Sequence, residues 1–306
     1  MTPPRITPAE IYRVLLQREI EFPEDSVKYK SLLTVNPREL CRGIMGSQEF
    51  RGLWGFGRDP LPDLTVMTDA PGLRYWFRLR DRLLGHVVAR NAYEPEITEL
   101  VKRIVKPDMT VLDIGANLGY FTVLMGAIGC RVHAFEPFPG NFELLERNIA
   151  ENRLTTVTAH RAAVHCETRS GKLFHRADEQ NDNFGSMFSS SLEQPPHLSS
   201  IDVDYVALDD YLADLPEVGF VKMDVEGAEV FALTGMRRLL ERCRPVLIVE
   251  LNEQALVGAN QHSPQQLLDT LEGLRYRILD AGTQLPYRLP EDREKFALAN
   301  LLCHPV

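Results

Sequence analysis

The chain has 306 residues, 44% hydrophobic and 25% charged, a length that fits about two domains or one large domain with an appendage. It can bury enough surface to need no disulfide or structural metal, and its ordinary composition excludes disorder, collagen and coiled coil as whole-chain descriptions. Against 34 Lys and Arg stand 43 Asp and Glu, a formal net charge of −9, so no global bias toward nucleic acid or anionic membrane is expected.

The N-terminus, MTPPRITPAEIYRVLL, lacks the long apolar core of a signal peptide, and no apolar run approaches the ~18 residues of a membrane span. Residues 1–55 read as a helical module: Thr7-Pro8 is a helix start, and a second helix is expected over Pro37 to Met45. Residues 56–92 read as a connector and a strand or hairpin region, with the arginine-dense YWFRLRDRLL alternating at Trp76, Arg78, Arg80 and Arg82. From residue 93 to 306 strands and helices alternate. Helix Glu96–Ile104 precedes strand Thr110–Ile114; helix Tyr120–Ala127, strand Arg131–Phe135, helix Asn141–Asn152 and strand Thr156–His160 follow. A Ser-rich, irregular stretch covers 176–200. Beyond it are expected strand Phe220–Met223, helix Ala228–Arg242, strand Val246–Leu251, helix Pro264–Leu274 and strand Tyr276–Leu279. The apolar segment Phe296–Cys303 should return antiparallel, because only a polar loop separates it from the preceding strand. This alternation, with apolar runs such as VLIVEL, implies an open α/β sheet buried on both faces. The five cysteines form no C-x-x-C pair, which argues against a disulfide framework or zinc module and fits a reducing cytoplasm.

The sharpest local signal is VLDIGANLGYFTVL at 111–124, where an apolar strand ends at Asp113 and Gly115 and Gly119 lead into a helix. Such a junction lets backbone approach a ligand at the carboxyl edge of a sheet. The strand RVHAFEP ends in Glu136, 21 residues after Gly115, where an acid can accept both ribose hydroxyls. The glycine order is not G-x-G-x-x-G, and Asp113 would tolerate a pyrophosphate poorly. S-adenosylmethionine, with an ammonium, a sulfonium and one carboxylate, suits that carboxylate better.

YEPE at 93–96, LDIGANLGYFT at 112–122, FEPFPGNFELLERN at 135–148, RAAV at 161–164, VALDDYL at 206–212, KMDVEGAE at 222–229 and RPVLIVELNE at 244–253 resemble the FkbM family of S-adenosylmethionine-dependent methyltransferases. The resemblance implies a Rossmann-like, seven-stranded class I methyltransferase sheet with an antiparallel last strand, here with a small helical N-terminal extension. It implies O-methyl transfer to a hydroxyl of a small molecule, sugar or glycan. By position it puts Asp113, Gly115, Asn117 and Gly119 at the methionine end of the cofactor and Glu136 on the ribose. Pro137 shapes that turn, Asn141 starts the next helix, Ala163 lies near adenine and Glu94 faces the cofactor. The family's polar segment in the long loop would bring Asn183, Gly185 and Ser186 to substrate or cofactor. A separate, fainter resemblance links residues 11–50 to a short helical domain fused to glycosyltransferases, which suggests docking or self-association through residues 1–55; a helical cap on the catalytic domain is the alternative.

KMDVEG puts Lys222, Asp224 and Glu226 at the carboxyl end of a central strand, and the next strand ends in Glu250-Leu-Asn252. Asp224 and Glu250 can then face one another as candidate catalytic groups, with Glu226 toward substrate. One carboxylate would act as general base; alternatively Asp224, Glu250 and Asn252 would hold a magnesium ion. No histidine spacing supports a transition-metal site, and metal-free chemistry is the preferred reading. A nicotinamide-dependent oxidoreductase and a non-catalytic cofactor-binding module are the competing classes. The arginines of 74–90 are either a solvated face paired with acids or a contact for an anionic substrate.

Overall fold

The computed structural model describes residues 65–70, 72–78, 93–176, 198–260, 262–290 and 297–306. The helical module expected over 1–55, most of the connector, and Asn183, Gly185 and Ser186 lie outside the described residues.

The elements, in chain order, begin with a hairpin of β1 (Thr65–Ala70) and β2 (Leu73–Arg78). There follow α1 (Pro95–Ile104), β3 (Thr110–Ile114), α2 (Tyr120–Ile128), β4 (Arg131–Phe135), α3 (Pro139–Glu151) and β5 (Val157–His160). Next come β6 (Ala163–Val164), β7 (Arg169–Arg176), β8 (Leu198–Val206), α4 (Leu208–Tyr211), β9 (Phe220–Met223), α5 (Glu229–Gly235) and α6 (Arg237–Cys243). The chain closes with β10 (Val246–Asn252), α7 (Glu253–Asn260), α8 (Pro264–Gly273), β11 (Tyr276–Asp280) and β12 (Leu298–Pro305).

Seven strands form one sheet in the order β11-β12-β10-β9-β3-β4-β5. All neighbours are parallel except β12, which runs antiparallel between β10 and β11. This is the Rossmann-like class I methyltransferase arrangement, with its reversed last strand. The chain runs outward from β3 through β4 to β5, then returns to continue on the other side from β9. The crevice between β3 and β9 at the carboxyl edge is therefore the switch point where such sheets take ligands.

Alternation along the strands divides the core into two layers. Val111, Phe220 and Ile248 face α1, α2 and α3; Leu112, Ile114, Val221, Leu247 and Val249 face the opposite layer with α5, α6 and α8. Asp113, Lys222 and Glu250 fall on the first face, and Asp113 pairs with Lys222 in register. Three polar side chains thus interrupt an apolar layer near the tips of adjacent strands.

The structure corrects the sequence reading at three places. The stretch 176–200 is not simply irregular: its ends belong to β7 and β8, which pair antiparallel and, with β6, form a separate three-stranded sheet. The helix expected over Ala228–Arg242 is two helices broken at Met236. Gly235 presses on the backbone of His165, where an added Cβ would lie 1.9 Å from the carbonyl oxygen. A new helix starts because Asp209 accepts from the N–H groups of Arg238 and Leu239 at 2.9 and 2.8 Å. Helix α7, directly after β10, was not expected from the sequence. Of the two expectations for the arginines of 74–90, the described ones fit the face paired with acids: Arg74 pairs with Glu151 at 3.1 Å, and Arg78 donates to the Gly140 carbonyl.

Candidate active site

The turn after β3 is shaped by its neighbours. Gly115 has φ 83°, and a Cβ there would lie 1.8 Å from the Asp224 carbonyl oxygen, because the chain leaving β9 passes directly over it. Only glycine tolerates both conditions. The same crossing carries a hydrogen bond from Asp224 N to Ile114 O at 2.9 Å. Asn117 takes a left-handed conformation, φ 53°, which asparagine tolerates because its side chain bonds locally; its Oδ1 accepts from Leu118 N at 2.8 Å.

A cavity of about 440 Å³ opens at this edge. It brings together Glu94, Asp113, Gly115, Asn117, Glu136, Pro137, Asn141, Ala163, Asp224, Glu226 and Glu250, all singled out in the sequence. Gly119 is the exception. It caps α2 with φ 91° and packs on Leu145, where an added Cβ would lie 2.6 Å from Cδ1. Its constraint is the contact between α2 and α3, so it does not line the cavity.

At one end Glu136 is held by two backbone donors, Asn117 N at 2.8 Å and Phe138 N at 2.9 Å, one to each carboxylate oxygen. Burial pushes its carboxyl up to about 7, against the pull of those two bonds. Asp113 is buried beneath the turn and accepts from the Thr122 hydroxyl. Burial raises it to about 6, although the Thr122 bond and Lys222 act in the opposite sense. Two fixed carboxyl groups therefore flank the glycine turn, suited to a ligand that is cationic near one end and carries vicinal hydroxyls near the other. Ala162, Ala163 and Val164 supply an apolar wall.

The remaining part of the cavity is acidic. Lys222 is fully buried, its Nζ 3.0 Å from Asp224 Oδ2 and 5.2 Å from the centre of the Phe121 ring. Burial would lower its pKa, but Asp224, Glu94, Glu250 and Asp113 together outweigh that and raise it, so it stays an ammonium. Among the described lining residues it is the only Lys or Arg, and it is already engaged. Oxygens of Asp224, Glu226 and Glu250 lie within 4.8 Å of one another. Burial, then the neighbouring carboxylates, push both Glu226 and Glu250 upward, and Glu250 Oε2 has no hydrogen-bond partner among the described residues. Crowding of carboxyls in a buried cluster thus favours the protonated forms of Glu226 and Glu250 in the free protein. Asn252 also lines the cavity; its Nδ2 donates to Glu226 Oε2 at 3.5 Å.

Several contributing residues were not singled out as site residues in the sequence. Tyr93, Tyr120, Phe121 and Phe135 line the cavity. Their signal was adjacency to the YEPE, glycine-turn and FEP motifs. Glu229, completely buried, folds the turn after Asp224 by accepting from Gly227 N at 3.1 Å and Val225 N at 3.4 Å. That turn places Glu226 at φ 50°.

The family model for the methyltransferase FkbM domain matches residues 113–278, more than half of the chain. Methyltransferase 1 of Beauveria bassiana is 29% identical over 148 residues, 42% of this chain and 59% of that protein; the chain thus aligns with less than two thirds of it. The 2-O-methyltransferase NoeI of Sinorhizobium fredii is 28% identical over 173 residues, 52% of this chain and 69% of that protein. Among solved structures, a methyltransferase FkbM from Methylobacillus flagellatus aligns at 19% identity and a TM-score of 0.40, covering 71% of this chain and 54% of that one.

Proposed function

We propose that this chain, which belongs to the methyltransferase FkbM family, transfers the methyl group of S-adenosylmethionine to a hydroxyl oxygen of a neutral, hydroxyl-rich acceptor such as a sugar or glycan. The observation that carries the reading is the paired placement of Asp113 and Glu136 around the glycine turn, with Glu136 aimed by two backbone N–H groups. The residues present fit that cofactor. Glu136 would accept the ribose hydroxyls, Asp113 would balance the cationic methionine end, and Ala162 and Ala163 would offer an apolar wall to adenine. The sulfonium, when bound, supplies an activated methyl group and a neutral leaving group.

The chain's own task is to align the acceptor oxygen and to take its proton. Asp224 is the favoured base. It faces the cavity, and its bond from Lys222 fixes its orientation. Glu250, raised by burial and then by Asp224 and Glu226 beside it, would carry a proton in the free enzyme. With the cofactor bound, Asp224 would take the hydroxyl proton as the acceptor oxygen is methylated, with Glu250 beside it. The acidic lining, with no free cation among the described lining residues, favours neutral hydroxyl acceptors over phosphorylated or carboxylated ones. The relative named a 2-O-methyltransferase supports oxygen as the acceptor atom.

A second reading has its own observation: the close approach of Asp224, Glu226 and Glu250 would suit a hard divalent ion that acidifies the hydroxyl. Production of S-adenosylhomocysteine with a panel of glycoside acceptors, with and without EDTA, tests both. Product formed equally in EDTA supports the base mechanism, and loss restored by magnesium supports the metal. Absence of S-adenosylmethionine binding by calorimetry would overturn the cofactor assignment. The residues 1–55 are proposed as a docking or self-association module.

A further inference from the structure

Strand β2 pairs with β1 along one edge, and its other edge would leave backbone groups of Arg74 and Trp76 unpaired. Helix α3 covers that edge with two side-chain amides. Asn148 Oδ1 accepts from Trp76 N and its Nδ2 donates to Trp76 O at 3.1 Å. Asn152, at the helix cap, repeats the pattern: its Oδ1 accepts from Arg74 N at 3.0 Å and its Nδ2 donates to Arg74 O at 2.7 Å. The spacing has a simple cause. Four helical residues rise about 6 Å, close to the advance of two strand residues, so amides at i and i+4 match strand positions j and j+2.

Asn148 does more than extend a sheet edge. It is fully buried, and its Nδ2 also donates to Leu118 O at 2.7 Å, inside the glycine turn. The next residue back, Asn117, supplies one of the two N–H groups that hold Glu136. Tyr75, between the two clamped residues, turns inward and stacks on Tyr120 with ring centres 5.6 Å apart, its hydroxyl donating to Tyr120 O at 3.3 Å. Tyr120 in turn lines the cavity. The hairpin itself lies ahead of residues 113–278, the region matched by the family model.

We infer that Asn148 is a positioning residue that couples docking of the Thr65–Arg78 hairpin to the cofactor turn, so that the site is complete only with the hairpin in place. The inference rests on the assignment of the cavity to S-adenosylmethionine. Hairpin docking holds Asn148, and Asn148 holds the Leu118 carbonyl; by linkage, a ligand that orders the turn must also tighten the hairpin.

The test uses the full chain and S-adenosylhomocysteine, with affinity from calorimetry and docking from tryptophan emission. The chain has two tryptophans, Trp54 and Trp76, so a Trp54→Phe background isolates Trp76, whose ring lies under the Arg147 guanidinium at 3.3 Å. Asn148→Ala should weaken binding at least tenfold. Asn152→Ala deletes the Arg74 bonds and one bond to the Asn148 carbonyl oxygen at 2.8 Å, but leaves the Asn148 side chain, Leu118 and the cavity untouched, so it separates coupling from damage at the turn. It should weaken binding at least threefold and red-shift Trp76 emission, with saturating ligand reversing the shift. An Asn152→Ala affinity within twofold of wild type overturns the coupling, as does a red shift that ligand leaves unchanged. Failure of the unsubstituted chain to bind S-adenosylhomocysteine would instead overturn the cofactor assignment, and the inference with it.

Discussion

At the scale of single residues, the two carboxyls flanking the glycine turn set the pH dependence of ligand binding. Burial raises Asp113 to about 6 and Glu136 to about 7 in the free protein, above their unfolded values. The sign follows. Folding favours their protonated forms, so their contribution to stability is present at low pH and is lost as pH rises through about 6 to 7. A ligand with a cationic end and vicinal hydroxyls prefers both ionised. Calorimetry should therefore show affinity for S-adenosylmethionine rising from pH 5.5 to 8, by up to roughly tenfold per unit below the higher value, with protons released on binding. Asp113→Ala and Glu136→Ala should each weaken binding by about 10- to 150-fold, the loss of one charge-assisted contact. Asp224→Asn should keep cofactor affinity within a few fold and lower turnover by about 10²–10⁴, the range for losing an acid–base group. Glu250→Gln tests its partnership, since a group that only stores a proton should cost less than the base itself.

At the scale of elements, the contacts that shape the site are backbone approaches more than side-chain packing. A Cβ at Gly115 would meet a carbonyl oxygen at 1.8 Å in a conformation that disfavours alanine. Gly115→Ala should therefore cost about 3 kcal/mol or more, read as a melting temperature lower by roughly 6–12 °C. Asp209→Ala removes the cap that starts α6 and should cost about 1 kcal/mol without affecting cofactor affinity, because α6 lies away from the cavity. Several elements were legible in the sequence because single residues declare them. Strands β3, β4 and β9 occupy the expected residues, since a short apolar run bounded by turn residues has few alternatives. Others were not. The break at Met236 depends on Asp209, 27 residues earlier, and on a collision with His165 that has no local signature. The pairing of β7 with β8 is equally non-local: Arg169 meets Tyr205 across a long connection.

For the whole molecule, the free site holds more acid than base, and a cationic ligand should relieve that imbalance. S-adenosylmethionine at about 100 times its dissociation constant should stabilise the fold by about 2.7 kcal/mol, a rise in melting temperature of roughly 5–10 °C by thermal denaturation. Among the described residues no helix is long and apolar enough to cross a membrane, and Cys130, Cys166, Cys243 and Cys303 are free thiols.

The sequence by itself determined the sheet, its direction of reading and the acids at its edge. Apolar runs mark which segments become strands and place the acids at their ends; only the pairing register puts Asp113, Lys222 and Glu250 on one face. Tertiary structure decided what those acids do for one another. Lys222 remains charged because carboxylates from β3, β10, the turn after β9 and the start of α1 converge on it, and Glu250 is raised by its burial and then by Asp224 and Glu226 beside it. Such effects depend on distance through a low-dielectric interior, which adjacency along the chain does not encode. The same holds for the hairpin: YWFR reads as a strand on its own, but only folding sets its edge against Asn148 and Asn152. There, two amides one helical turn apart match the pitch of a strand.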